Sequence, residues 1–155
     1  MRRATAILLA IAAILATGCG SSSNETPAAC LVDSGAYLHA LDRAPAAVRL
    51  GGEVPISDCL PENQEAGALA TVGAAMVVAA TKLNTEARAD PGGPAAARLG
   101  YLLGAADHAA ETTEGIHAEL IRRLTVAARY SPEGPLPRAF YRQYRRGYAA
   151  GRTDG

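Results

Sequence analysis

The residues between positions 107 and 117 are the densest set of potential metal ligands in the chain. Within it, Glu114-x-x-His117 has a spacing that di-iron carboxylate bundles use. A helix turns about 100° per residue, so His108 and His117 point in opposite directions and cannot reach one ion from a straight helix. No second Glu-x-x-His motif is present. We therefore expect a solvated acidic stripe and no metal site from this group, which contains Asp107, His108, Glu111, Glu114 and His117.

A second group, near the C-terminus, combines arginine with tyrosine. On a helix the three tyrosines fall within about 60° of one another and the arginines cover an adjacent face. Two interpretations stay open: the tyrosines pack on neighbouring helices while the arginines meet acidic residues or solvent, or the whole surface binds an anionic partner. That partner is a lipid headgroup, a cell-envelope polymer or an acidic protein. The predicted surface consists of Arg138, Tyr141, Arg142, Tyr144, Arg145, Arg146 and Tyr148.

No arrangement typical of nucleophilic or phosphate chemistry occurs in the sequence. The single lysine, Lys82, has no Ser-x-x-Lys partner, and no serine has the context of a nucleophile elbow. No glycine-rich loop opens a helix after a strand. We expect no catalytic residue and no cofactor, and so a binding or scaffold protein rather than an enzyme. The alternative is a secreted enzyme or metal-binding protein that uses the 107–117 cluster.

Long helices must position both groups. Leu69, Val72, Met76, Ala80 and Leu83 repeat at three- and four-residue spacing, which predicts a buried helix from about residue 58 or 61 to 89. Pro94 opens a second long helix, running to about residue 130, that is either continuous or broken near Gly115. A third helix is predicted at 136–150. The spacing Gly100-x-x-x-Gly104 predicts a close helix–helix contact inside the bundle.

The N-terminus has the pattern of an export signal. Arg2 and Arg3 precede an uncharged, mostly apolar run over 4–17, which at about 1.5 Å per residue is too short to cross a bilayer of ~30 Å. The run ends in Leu-Ala-Thr-Gly-Cys, with the cysteine at position 19 and a polar stretch after it. This segment resembles the lipobox of bacterial lipoproteins, although Leu15 lies one place further from the cysteine than is common in that family.

The resemblance implies that Cys19 is lipidated, with palmitate or a similar acyl chain, and becomes the first mature residue. It implies a signal peptide at 1–18, a flexible tether at 19–29 and a single folded domain at 30–155. The protein is then exported and anchored to the outer face of the cytoplasmic membrane, or to an outer membrane if the host has one. Such a location makes nucleic acid an unexpected partner.

Once Cys19 is assigned to the lipid, Cys30 and Cys59 remain as an even pair in an oxidising compartment. We predict a disulfide between them that staples an irregular N-terminal flap, with a short helix through residues 36–41 and a hairpin around Gly51 and Gly52. The predicted fold class is mainly α: a small helical bundle of two long antiparallel helices and a C-terminal helix, with this flap.

The formal charge of zero conceals a strong division along the chain. Residues 120–155 carry a net charge of +6, whereas residues 19–119 carry −8. An acidic body and a basic C-terminal segment favour either an anionic partner or head-to-tail self-association. The sequence leaves the oligomeric state open.

Overall fold

Five α-helices dominate the described part of the computed structural model, which comprises residues 25–111, 113, 115–129 and 136–155. No β-strand occurs among these residues, and the predicted small helical bundle is confirmed. The predicted signal peptide and Cys19 lie outside the described residues. The helices are α1 Ser34–Leu41, α2 Ala66–Ala89, α3 Pro94–Ala110, α4 Ala118–Ala127 and α5 Arg138–Asp154, and two short 3-10 turns span Ala28–Cys30 and Ser57–Cys59.

Local sequence signals fix where α1 and α3 begin. The side chain of Asp33 caps α1 by accepting a hydrogen bond from the backbone nitrogen of Ala36 at 3.0 Å. Pro94 occupies the first turn of α3, where its missing N–H has no partner to lose. The tight turn before it, 90–93, sends α3 back along α2, so the two helices are antiparallel as predicted.

The start of α2 was predicted too early. The helix begins at Ala66 rather than near residue 58 or 61. Cys59 lies in a 3-10 turn and is fully buried in its disulfide, and the Gln64 side chain is buried in hydrogen bonds to Thr26 and to the Cys59 carbonyl. These tertiary contacts hold residues 57–64 in an irregular path that the local sequence does not reveal.

The second predicted long helix is broken at the position of its glycine. α3 ends at Ala110 and α4 begins at Ala118. Between them Gly115 has a φ of +87°, which L side chains rarely adopt, so a glycine is suited to this turn. The amide of Asn84 on α2 donates to the Ala127 and Arg129 carbonyls, each at 3.0 Å, and so joins the end of α4 to α2.

The core lies between α2, α3 and the N-terminal flap. Four residues of the predicted stripe, Val72, Met76, Ala80 and Leu83, are at most 1% exposed, and Leu69 is partly buried. They pack in one cluster with apolar side chains of α3, including Leu99 and Leu102. Alanine fills much of this core.

The predicted disulfide between Cys30 and Cys59 is confirmed, with the two Cα atoms 5.4 Å apart and both residues fully buried. Around it, the Tyr37 hydroxyl donates to the Cys30 carbonyl, and the Val48 nitrogen donates to the Tyr101 hydroxyl of α3, each at 3.0 Å. These bonds fasten the flap to the helices.

Two expectations for this region need correction. The hairpin is reduced to one antiparallel bridge between Leu50 and Val54, because the Val48 nitrogen donates to the Tyr101 hydroxyl rather than to a facing strand, and the chain enters a 3-10 turn at Ser57–Cys59. The tether was predicted to reach residue 29, yet Thr26 is buried and Ala28–Cys30 forms a 3-10 turn. The packed body therefore begins near Thr26, because its hydroxyl accepts a buried hydrogen bond from Gln64.

Candidate functional site

α5 carries the predicted Arg/Tyr surface, and its two faces have different surroundings. Phe140, Gly147 and Gly151 are buried. The ring of Phe140 stacks on that of Tyr144 at 5.7 Å between centroids, and Tyr144 stacks on Tyr148 at 6.2 Å. All three rings pack in or against the core cluster, so one side of α5 is aromatic and glycine-rich and the other is basic.

Glycines bring the backbones of α3 and α5 into direct contact. A Cβ added at Gly100 would overlap the carbonyl oxygen of Tyr144, and one at Gly104 would overlap that of Tyr148. The reverse also holds, because a Cβ at Gly147 would overlap the carbonyl of Ala97. The predicted close contact at Gly100-x-x-x-Gly104 is confirmed, and Gly147-x-x-x-Gly151 on α5 is its partner.

Two polar contacts join α5 to the acidic stripe on α3. The Tyr148 hydroxyl donates to Asp107 Oδ2 at 2.5 Å, and the Arg152 guanidinium pairs with Glu111 at 2.6 Å. Burial, followed by the hydrogen bond with Asp107, raises the pKa of Tyr148. Burial also raises the pKa of Tyr144 to about 12. Both tyrosines therefore remain protonated at neutral pH and serve the packing of α5.

The exposed surface of α5 is consequently smaller than the sequence predicted. Tyr144 and Tyr148 are half-buried against the bundle because they share a helix face with Gly147. Tyr141 is 50% exposed and has the Arg145 guanidinium carbon 5.5 Å from its ring centroid. We call the exposed surface formed by the remaining predicted residues the Arg face: Arg138, Tyr141, Arg142, Arg145 and Arg146.

Within the described residues, none of the four arginines of the Arg face forms an ion pair. The ion pairs of that part of the chain involve other cations, including Arg98 with Asp42 at 3.0 Å and Arg152 with Glu111. At about 100° per residue, Arg138, Arg142 and Arg145 lie within about 60° of one another, on the side opposite Gly147. Their charges therefore project together away from α3.

No family model, curated protein or solved structure matches this chain. The chemistry of the described side chains is therefore the basis for assigning a function.

His117 lies in the core rather than on the acidic stripe, and its exposed fraction is 0%. The Gln64 amide nitrogen donates to the Cys59 carbonyl at 2.8 Å, and a carbonyl only accepts. This fixes the Gln64 orientation, so its Oε1 faces His117 Nε2 at 3.0 Å and accepts a hydrogen bond from its N–H. His117 Nδ1 lies 2.9 Å from the Thr113 hydroxyl. His117 therefore joins the start of α2 to the turn before α4.

Burial lowers the pKa of His117, so the imidazole is neutral at pH 7 and carries its proton on Nε2. Its Nδ1 then accepts from the Thr113 hydroxyl, whose single hydrogen is shared with the Ala110 carbonyl at 3.2 Å. With both ring nitrogens engaged inside the fold, His117 has a structural role. The sequence contained no local signal for this network, because Gln64 and His117 are 53 positions apart.

The other described members of the 107–117 cluster contact different partners and do not converge on one point. Asp107 binds Tyr148, Glu111 binds Arg152, and exposed His108 lies 4.0 Å from Glu111. Glu114 lies outside the described residues. Across residues 25–111, 113, 115–129 and 136–155, no three His, Cys, Asp or Glu side chains form a group that could hold a metal ion. Asp107 and Glu111 are therefore part of the α3–α5 interface, His117 is part of the core, and His108 is exposed.

Proposed function

We propose that this protein is a lipid-anchored, non-enzymatic binding module of the cell envelope that contacts an anionic partner through its Arg face. The observation that carries the proposal is the Arg face itself: four guanidinium groups on one side of a firmly packed helix, without an ion pair in the described chain. Guanidinium groups suit such a role because they bind carboxylates and phosphates with two parallel hydrogen bonds.

The position of the Arg face along the bundle favours a partner beyond the anchoring membrane. The C-terminal end of α5 lies beside the flap, since Arg49 donates to the Asp154 carbonyl at 2.7 Å and Ser57 donates to that of Gly155. Ser57 and Cys59 belong to the same short 3-10 turn. The Gln64 amide nitrogen donates both to the Cys59 carbonyl and to the Thr26 hydroxyl, and Thr26 is where the tether joins the body. Arg138 lies 16 residues earlier on α5, about 24 Å along the helix axis.

This arrangement favours a cell-envelope polymer or an acidic protein over the headgroups of the anchoring lipids. The tether joins the body at one end of the bundle, whereas the Arg face extends toward the other end. The resemblance of the segment before Cys19 to a lipobox supports the anchoring half of the proposal. Replacing it by Cys19→Ser is expected to release the protein from the membrane fraction.

The Arg face is tested by binding to two fluorescent polyanions, poly(glycerol phosphate) and polyglutamate, measured by anisotropy. The test variant combines Arg138→Gln, Arg142→Gln, Arg145→Gln and Arg146→Gln. The control combines Arg43→Gln, Lys82→Gln, Arg88→Gln and Arg129→Gln, four exposed cations elsewhere on the bundle. Both variants lose the same net charge, so any difference between them reports the location of the charge.

We expect the test variant to bind at least about tenfold more weakly than the control variant, equivalent to about 1.4 kcal/mol. Preference for one of the two polymers would indicate whether phosphodiesters or carboxylates are recognised. Equal weakening in both variants would show that only overall charge matters, and the Arg face would then not be a binding site.

A further inference from the structure

The second unusual surface belongs to α2. Residues 66–81 of this helix carry no charge, yet the fold covers only part of it. α2 is the described helix that is long and apolar enough to cross a membrane, but only 39% of its most apolar window is buried. Because Val72, Met76 and Ala80 form part of the core, α2 cannot leave the bundle without dismantling it. Its remaining surface is an apolar face that no element of the described part of the chain covers.

A groove of about 550 Å³ follows this face between α2 and α4. Its walls come from both helices, and Gly73 lets α4 approach, since a Cβ there would lie 3.3 Å from a methyl group of Leu120. Val78 and Ile116 border the groove and are 55% and 44% exposed. The apolar lining includes Leu69, Gly73, Val77, Val78, Ile116 and Leu120.

The charges at the rim of the groove are paired with one another. Glu119 accepts hydrogen bonds from Arg122 at 2.8 Å and from Arg123 at 2.9 Å. These two contacts lower the pKa of Glu119 to about 2, so it stays ionised. The groove thus presents apolar side chains, with one carboxylate and two guanidinium groups at its rim that leave a net charge of +1, a surface suited to hydrocarbon with the charges kept at its edge.

The short tether between Cys19 and Thr26 indicates that the hydrocarbon nearest to the groove is that of the anchoring bilayer. The Thr26 hydroxyl accepts a buried hydrogen bond of 2.8 Å from Gln64, two residues before α2 begins. Cys19 precedes Thr26 by seven residues, which reach at most about 25 Å when fully extended. An acyl group on Cys19 therefore holds the N-terminal end of α2, and with it the groove, close to the bilayer.

We propose that the α2/α4 groove docks on the bilayer to which Cys19 is anchored, so that lipid acyl chains fill it. The inference rests on the lipid anchoring proposed above. It assigns the two exposed surfaces to different partners: the apolar groove faces the lipid, and the Arg face remains accessible to an anionic partner.

The absence of tryptophan from the chain permits a direct test with single-tryptophan reporters. Val78→Trp and Ala70→Trp place the reporter at two exposed positions of the groove lining. Val126→Trp is the matched control, because Val126 is a 62% exposed residue of α4 outside the groove. Tyr141→Trp reports on the Arg face. Each full-length protein is purified from membranes in its lipidated form and reconstituted in vesicles of phosphatidylcholine with brominated acyl chains.

We expect at least about twofold quenching of the groove reporters by the brominated chains, and little quenching at Val126→Trp or Tyr141→Trp. Circular dichroism checks that each variant keeps its helix content, and the two groove positions guard against a local disturbance at either one. Sedimentation of the vesicles after a high-salt wash measures anchoring independently of docking.

Three results would overturn the docking proposal. Groove reporters that are no more quenched than Val126→Trp, on protein that stays with the vesicles, would refute docking while leaving the anchor intact. Stronger quenching at Tyr141→Trp than in the groove would show that the Arg face, and not the groove, lies against the lipid. Protein that leaves the vesicles in the salt wash would refute the anchor, and docking with it.

Discussion

α2 and α5 are both partly exposed helices, but they join the bundle in opposite ways. α2 has no charge over residues 66–81 and packs through apolar side chains, leaving Val78 and its neighbours uncovered. α5 carries five arginines, yet its backbone touches that of α3 at Gly147 and Gly151. The comparison teaches that apolar content does not determine how closely a helix packs. In this protein the four-residue spacing of glycines on the contacting faces decides how closely the helices pack.

The largest expected effect on stability comes from adding a methyl group to a glycine of α5, and the same change in α2 serves as the comparison. Gly147→Ala places a Cβ where the Ala97 carbonyl lies, so α3 and α5 must separate, and we expect a loss of about 3 kcal/mol in the free energy of unfolding. Gly67→Ala on α2 meets no atom within 4 Å and should stabilise the protein by about 0.5–1 kcal/mol. Urea unfolding followed by circular dichroism measures both. Similar small shifts for the two variants would contradict the backbone contact.

The two sides of α5 are compared by removing one hydroxyl from each. Tyr148→Phe loses the hydrogen bond to the Asp107 carboxylate and should cost about 1.5–3 kcal/mol. Tyr141→Phe, on the exposed side, should change the free energy of unfolding by less than about 0.5 kcal/mol. The same denaturation experiment distinguishes them. A neutral Tyr148→Phe variant would mean that Asp107 is equally well satisfied by water.

A pH series examines the polar network at the start of α2. Burial lowers the pKa of His117 below 6.5, so the unfolded chain binds a proton more readily than the folded chain. The stabilisation by neutral His117 is therefore complete above pH 6.5 and declines as the pH falls below it. Denaturation midpoints between pH 7.5 and 5 should show this decline in the natural protein.

The His117→Asn variant should lose that component of the pH dependence, whatever its absolute stability. His39→Gln is the control, because the His39 side chain is 90% exposed. If both variants keep the decline of the natural protein, carboxylates rather than His117 are responsible for it.

The smallest effect is expected from the arginines of α5. Arg152→Gln breaks a half-exposed ion pair with Glu111 and should cost between zero and about 1 kcal/mol, less at high salt. Arg145→Gln removes a charge of the Arg face and should leave stability within about 0.5 kcal/mol of the original. A larger loss at Arg145 than at Arg152 would indicate that the Arg face supports the fold.

The sequence predicted those features that depend on neighbouring residues. The short helix through residues 36–41 and the opening of α3 at Pro94 follow from local backbone preferences, and Gly115 marked the place where the second long helix could break. The start of α2 was wrong because contacts with distant residues, through Cys59 and Gln64, decide it.

The candidate site shows the same limit. The amphipathic pattern of α5 was visible in the sequence, but the pattern did not say which tyrosines face inward. Gly147 and Gly151 decide that, since the face they share must meet α3. These glycines contact the part of α3 that contains Gly100 and Gly104. The two segments are distant in the sequence, and a single sequence does not show how two distant helices align. The α2/α4 groove was missed for a similar reason, because its second wall belongs to another helix.

The backbone contact between α3 and α5 has a consequence for the thermodynamics of recognition. A helix held by its own peptide groups has little freedom to rotate or shift, so its guanidinium groups stand on a fixed scaffold with successive turns about 5.4 Å apart. An anionic ligand with a comparable charge repeat would find these groups already spaced. The entropy lost on binding would then come mainly from the arginine side chains and from the ligand, rather than from ordering the protein backbone.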